Sequence, residues 1–349
     1  MKNISTGKPD NPGNRLDSTS DFGECVSVVI PSMGRRSVAR AVASALRQFG
    51  NHIREVIVVV DGDEALGREV EQLLPDECIV IFTGMRTNAN VARNLGIRTA
   101  TGEFVALLDD DDEWRPEKTH LQLSLLSDSR SDLCTSAVRV SGDNANAGQV
   151  WPFRMMVEGE SFADFLFRRE SLRSQAKILQ SSSWIGRTSL FVNRPFDEQV
   201  RIHQDFDWLI RNGSDVRVVH CPEDLTLYYI SDLGSSMSSD ARAYDSFEWA
   251  KGCRNVISRR AYSDFILSIS SVFGMRSGSP VVMIRMLISA MSTRSVSMIA
   301  FTVWLYRFVW SVRAASRRTL GHAFRYSGEK FRFLAHSMGT GVRTGRTRQ

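Results

Sequence analysis

A chain of 349 residues can bury a sizeable core and hold one large or two ordinary domains, which excludes peptide-scale and stapled folds. Its five cysteines, Cys25, Cys78, Cys134, Cys221 and Cys253, are odd in number and scattered, so they form neither a disulfide framework nor a zinc-ligand spacing, and a cytoplasmic protein is expected. The net charge of +5 hides an asymmetry: residues 250–349 carry 17 Lys and Arg against Asp264 and Glu329, a balance of +15, which leaves residues 1–249 at −10.

Residues 1–23 are rich in Asn, Ser, Asp, Gly and Pro, lack the apolar core of a signal peptide, and read as a disordered leader. A strand at Val26–Ile30 is followed by a helix at Val38–Gln48 and a strand at Glu55–Val60. Cys78–Phe82 is the next short apolar run, Asn90–Thr99 the next helix, and Glu103–Leu108 the strand after it. This alternation predicts an α/β fold with a mostly parallel sheet, whose strand ends share the edge where ligands of open sheets bind. Pro31-Ser32-Met33-Gly34, Asp61-Gly62-Asp63 and Asp109 to Asp112 should converge there.

The third cluster is the most informative. A buried apolar run, Phe104–Leu108, ends in four aspartates, and adjacent carboxylates repel unless a cation gathers them; their hard oxygens suit Mg²⁺ or Mn²⁺. The plain alternative is a hydrated acidic turn. Further on, Gln180–Val192 reads as a strand, with Trp184 either stacking on a bound ring or filling the core. Gln204–Arg211 reads as a helix stopped by Asn212-Gly213, with Asp205 in its favourable first turn. In the basic region the apolar stretches 265–275, 281–291 and 296–310 are interrupted by arginines and are too short to span a bilayer, so interfacial helices are expected. Val296, Ile299, Val303, Tyr306 and Trp310 would share one helix face.

Together, Ala92-Arg93-Asn94-Leu95-Gly96-Ile97, Leu107 to Trp114, Phe196-Asp197-Glu198 and Gln204-Asp205-Phe206-Asp207-Trp208 resemble family 2 glycosyltransferases of the GT-A fold. The resemblance covers residues 24–235 and leaves 236–349 as a basic, amphipathic helical C-terminal region. It implies an inverting, metal-dependent enzyme that moves a sugar from a nucleotide diphosphate donor to a hydroxyl of a glycan or lipid-linked glycan, in surface polysaccharide or glycoconjugate synthesis.

Carried over residue by residue, Pro31 and Ser32 lie beneath the base and Asp61 accepts its hydrogen bond. Arg93 lies near base and diphosphate, Asp109 or Asp110 meets the ribose, Asp111 binds the Mn²⁺ or Mg²⁺, and Asp205 is the general base. Asp112 and Glu113 are expected to support this set or to cap the helix that Pro116 begins. His203 is expected to pack, Asp207 to be structural, and Leu233–Ser238 to resemble a mobile Gly-Ser loop. The basic tail is expected to dock on the anionic inner face of the cytoplasmic membrane, and no nucleic acid is expected. The competing reading is a non-catalytic nucleotide-binding relative whose tail binds membrane or nucleic acid; the presence of both Asp111 and Asp205 counts against it. Ser32-Met33-Gly34-Arg35 departs from the usual Thr, aromatic and Asn of the first-strand loop, so base contacts can differ.

Overall fold

The computed structural model describes residues 25–142, 146–172, 177–230 and 242–313; the leader, the loop Leu233–Ser238 and the end of the basic tail lie outside them. The chain forms two compact units. The first comprises the chain up to Pro152 with Ile178–Gln199 and Asn212–Ile230, and the second takes Phe153–Lys177, Val200–Arg211 and the described residues from 242 onward.

The first unit opens with β1 (Val26–Ser32), α1 (Val38–Leu46), β2 (Ile53–Val60), α2 (Glu64–Glu71), β3 (Ile79–Phe82), α3 (Ala89–Thr99) and β4 (Phe104–Leu107). These elements match the expected alternation closely. There follow β5 (Glu113–Trp114), α4 (Lys118–Ser129), β6 (Leu133–Ser141) and β7 (Val150–Trp151), then α5 (Phe162–Phe167) of the second unit, then β8 (Ile185–Arg187) and α6 (Thr188–Asn193). After α7 (Gln204–Asn212) the chain returns as β9 (Val218–Tyr229).

The sheet runs β3-β2-β1-β4-β8-β6-β9-β5, with β7 paired to β6. β3, β2, β1 and β4 are mutually parallel, so their C-terminal ends share one edge, and β8 runs antiparallel to β4. Every residue of β1 and β4 is buried, as β-branched and apolar runs covered on both faces should be. On one face α1 presents Val38, Ala41, Val42 and Ala45 at three- and four-residue steps. On the other, α3 approaches so closely that a Cβ on Gly96 would lie 2.4 Å from Val29 Cγ1.

Gln180–Val192 is not the long strand expected. Ser181–Ser183 form a 3-10 turn, only Ile185–Arg187 are extended, and α6 begins at once. The seryl run lacks alternation and is drawn into side-chain bonding instead: Trp114 Nε1 donates to Ser182 O at 2.7 Å and Gln122 Nε2 to Ser183 O at 2.9 Å.

The second unit is helical. Beyond α5 and α7 it contains α8 (Arg242–Cys253), α9 (Arg259–Phe265), a π-helical turn Ile266–Ser270, α10 (Ser271–Ser277), α11 (Pro280–Met291) and a helix over 298–313. Phe167, Phe206, Trp249 and Phe265 meet edge to face or tilted around one centre. Asp264 is wholly buried and accepts bonds from Arg260 Nε, Arg169 N and Ser297 Oγ. The helix over 298–313 packs one face and leaves another open. Ala300 and Trp304 are buried, with Trp304 Nε1 donating to Met283 O at 3.1 Å, whereas Tyr306 and Trp310 are 65% and 49% exposed. Among the described residues no helix is long and apolar enough to cross a membrane.

Candidate active site

The C-terminal edge of the parallel strands carries the three polar clusters, and hydrogen bonds join them. Ser32 Oγ donates to Asp110 Oδ2 at 2.8 Å, Met33 N donates to the same oxygen at 3.1 Å, and Asp61 N donates to Ser32 O at 2.7 Å. Asp61 is buried, and Thr87 fixes its Oδ1 through both its N–H and its hydroxyl, each at 2.6 Å. Asp63 serves a different end, capping α2 by accepting from Leu66 N.

The aspartates are gathered by arginines. Arg93, buried in α3, donates through Nη2 to Asp109 Oδ1 at 2.6 Å. Arg35 Nη1 bridges Asp110 Oδ1 at 3.2 Å and Asp111 Oδ2 at 2.6 Å, and Arg40 Nη2 donates to the Asp111 carbonyl at 2.6 Å. The resemblance places Arg93 near base and diphosphate but does not join it to Asp109, and it singles out neither Arg35 nor Arg40. Arg35 belonged to the segment noted only as a departure, and no spacing rule joins it to residues more than 70 positions away. Burial pushes the Asp110 carboxyl up despite its donors. Asp111 is pushed up to about 6 by burial and by the carboxylates of Asp109 and Asp110, with Arg35 opposing.

Asp112 and Glu113 do not cap a helix. Asp112 is wholly buried and accepts from Ser182 Oγ at 2.6 Å, Gln180 Nε2 at 2.8 Å and Tyr229 N at 3.1 Å, while Glu113 faces Arg40 and Arg47. Asp109 N donates to Ser182 Oγ at 3.0 Å, so one serine ties both ends of the aspartate turn. The turn needs these donors because a buried carboxylate without them would be costly.

The structure also gives a reason for the Asn-rich helix and the Phe196-Asp197-Glu198 segment to occur together. Asn88 Nδ2 donates to Glu198 O at 2.9 Å, Asn90 Nδ2 to Asp197 O at 2.8 Å and Asn94 Nδ2 to Phe196 O at 2.8 Å, with Phe196 N returning a bond to Asn94 Oδ1 at 3.0 Å. Three amides spaced two and four residues apart thus pin three successive carbonyls. Trp184 is fully buried and stacks on Phe196 at 6.2 Å, so it is a core residue and not a platform for a sugar.

The profile of glycosyl transferase family 2 matches residues 27–193, which contain the aspartate turn, Arg93 and the strands that carry them. Residues 27–193 belong to that family. It is 26% identical over 247 residues to the amylovoran biosynthesis glycosyltransferase AmsB of Erwinia amylovora, covering 67% of this chain and 79% of the relative. It is 29% identical over 194 residues to the putative colanic acid biosynthesis glycosyl transferase WcaA of Escherichia coli K12, covering 53% and 65%. The mannosyltransferase PcManGT of Pyrobaculum calidifontis, solved with GDP-Man and Mn²⁺, shares the fold at a TM-score of 0.51 and 13% identity, covering 84% of this chain and 87% of that one. The expected GT-A architecture is therefore the observed one.

In this glycosyltransferase Asp205 stands in the first turn of α7, in the second unit, where the positive end of the helix favours an ionised carboxylate. His203, just before that helix at φ 62°, donates or accepts at Ser246 Oγ over 2.8 Å and stacks on Phe206; burial pushes its imidazole down to about 3, so it stays neutral and packs. Asp207 is buried, receives both of its oxygens' bonds from Arg211 Nε at 2.9 Å and one from Trp249 Nε1 at 3.0 Å, and is structural.

The donor set suits a divalent cation. Asp111 lies beside Asp110, and both carboxylates offer hard oxygens already drawn to a positive charge. Among the described residues no three His, Cys, Asp or Glu side chains form a complete metal cage. A site of this kind leaves positions for phosphate oxygens and water, which Mg²⁺ commonly retains.

Proposed function

We propose that this glycosyltransferase moves a sugar from a nucleotide diphosphate sugar to a hydroxyl of a glycan or lipid-linked glycan, inverting the anomeric centre. The observation that carries the reading is the hydrogen-bonded junction of Ser32, Asp61, Asp110 and Arg93–Asp109 at one sheet edge. Asp61, oriented by Thr87, accepts from the base, and Pro31 and Ser32 lie beneath it. Asp109 or Asp110 meets the ribose. Arg93 offers a fixed guanidinium to diphosphate oxygens. Asp111 would hold Mn²⁺ or Mg²⁺, an ion that when bound offsets the charge growing on the departing diphosphate. Asp205 takes the proton of the acceptor hydroxyl as it attacks.

The names of AmsB and WcaA, which tie them to amylovoran and colanic acid biosynthesis, favour an acceptor in a surface polysaccharide. Contact with an anionic membrane is favoured by the balance of +15 from residue 250 onward, together with exposed Val281, Ile288, Met291, Met298, Tyr306 and Trp310 among those arginines. Sedimentation with phosphatidylglycerol vesicles checks this part, and no binding at low salt overturns it.

The donor is tested by thermal shift against UDP-, GDP-, ADP- and dTDP-sugars with and without Mn²⁺. Ligand at about 100 times its dissociation constant adds roughly 2.7 kcal/mol. A Mn²⁺-dependent shift with one nucleotide, abolished in Asp111→Asn, is expected. No shift with any of them would leave the non-catalytic reading in its place.

A further inference from the structure

Arg35 occupies the oxygens that the proposed cation requires. Its Nη1 lies 2.6 Å from Oδ2 of Asp111, the carboxylate assigned to the metal, and 3.2 Å from Asp110 Oδ1 beside it. A guanidinium and a divalent ion compete for these carboxylates, because two positive charges held this close repel each other. We propose that Arg35 is the resident counter-cation of the Asp110–Asp111 pair and yields it only when a nucleotide diphosphate draws the guanidinium away, so that donor and metal bind as a coupled pair. The inference rests on the metal-dependent, nucleotide-diphosphate reading given above.

The surroundings of Arg35 are built for such an exchange. Its backbone is fixed: Gly34, at φ 84°, packs so that a Cβ would lie 2.7 Å from Leu66 Cδ1, and Gly34 N donates to Ser32 Oγ, which itself donates to Asp110. Its side chain is freer, 33% exposed, with Nη2 donating to the Met33 sulfur at 3.8 Å. Rotation about side-chain torsions alone can therefore carry the guanidinium off the pair without disturbing the loop. A diphosphate offers it a partner of higher charge and matching fork geometry. Asp109 and Asp110 keep partners throughout, Arg93 and the Ser32–Met33 donors respectively, so the carboxylate released by the exchange is that of Asp111.

Coupling between two ligands is reciprocal: the factor by which nucleotide tightens metal equals the factor by which metal tightens nucleotide, commonly about 5- to 150-fold. The test is a Mn²⁺ titration of the full chain followed by the electron paramagnetic resonance signal of free Mn²⁺, with and without UDP or GDP. Wild type, Arg35→Gln, Arg35→Lys and Asp111→Asn are compared. In wild type, Mn²⁺ alone is expected to bind weakly and nucleotide to tighten it. R35Q is expected to bind Mn²⁺ alone about tenfold or more tightly than wild type and to lose most of the coupling, R35K to stay near wild type, and D111N to bind little metal in either condition. Equal Mn²⁺ affinities of nucleotide-free wild type and R35Q, or an R35K that behaves as R35Q does, would overturn the role of Arg35 while leaving the metal reading intact. A wild type that takes up no Mn²⁺ with either nucleotide would overturn the metal reading itself, and this inference with it.

Discussion

Asn94→Asp is the sharpest single-atom probe of how the site is held. The change keeps shape and keeps the acceptor for Phe196 N, but it replaces the Nδ2 donor that serves Phe196 O at 2.8 Å and Glu198 Oε1 at 3.1 Å. A buried carbonyl deprived of its donor costs about 1–3 kcal/mol. The new carboxylate is itself buried, and each pKa unit by which burial raises it adds about 1.4 kcal/mol. Glu198 is exposed and can turn away, so like-charge repulsion contributes under about 1 kcal/mol. The expected loss is roughly 3–5 kcal/mol at pH 7.5, read by urea unfolding with tryptophan fluorescence, for which Trp184 stacked on Phe196 is a local reporter. The sign with pH follows from the raised folded pKa. The penalty is full above that pKa and shrinks as pH falls through it toward the unfolded value near 3.9, where the protonated carboxyl can donate again. A variant within about 1 kcal/mol of wild type at pH 7.5, or a gap that does not narrow by pH 5, would refute the reasoning. Adding Glu198→Gln should recover no more than about 1 kcal/mol.

Gly96→Ala should destabilise by about 1–3 kcal/mol in the same assay despite the better helix propensity of alanine, because its Cβ meets Val29 Cγ1 at 2.4 Å and Val59 Cγ2 at 3.0 Å; a rise in stability would show that α3 can move off the sheet. Lys118 is wholly buried over Trp114, and burial pushes its ammonium down to about 7. Because the unfolded chain then binds the extra proton between about pH 7 and 10, wild-type stability should climb over that window by up to about 1.4 kcal/mol per pH unit, and Lys118→Met should lose the climb; parallel pH curves would contradict this. Asp205→Asn and Asp207→Ala should separate chemistry from structure. The first is expected to cut turnover at least about 100-fold with a stability change under about 1 kcal/mol. The second is expected to cost about 1–3 kcal/mol by leaving Trp249 Nε1 without its acceptor, with nucleotide affinity unchanged by calorimetry.

The sequence alone determined the alternation of β1 to β4 with their helices, because buried runs such as Val56 to Val60 and stripes such as Val38, Ala41, Val42 and Ala45 express burial directly in their periodicity. It also placed Ser32, Asp61 and Asp109 to Asp112 on one edge, since parallel strands joined by helices leave no other arrangement for their ends. Tertiary structure alone decided which cations hold the aspartates. Arg35, Arg40 and Arg93 reach Asp109 to Asp111 across 16 to 76 positions, and side-chain pairing at such separations leaves no local pattern. The same holds for Asp112, whose partners Ser182, Gln180 and Tyr229 come from two distant segments, and for the failure of Gln180–Val192 to form a long strand. Local sequence encodes which face of an element is apolar; which polar groups meet is settled only once those faces have packed and every buried donor and acceptor must find its partner among the groups brought alongside.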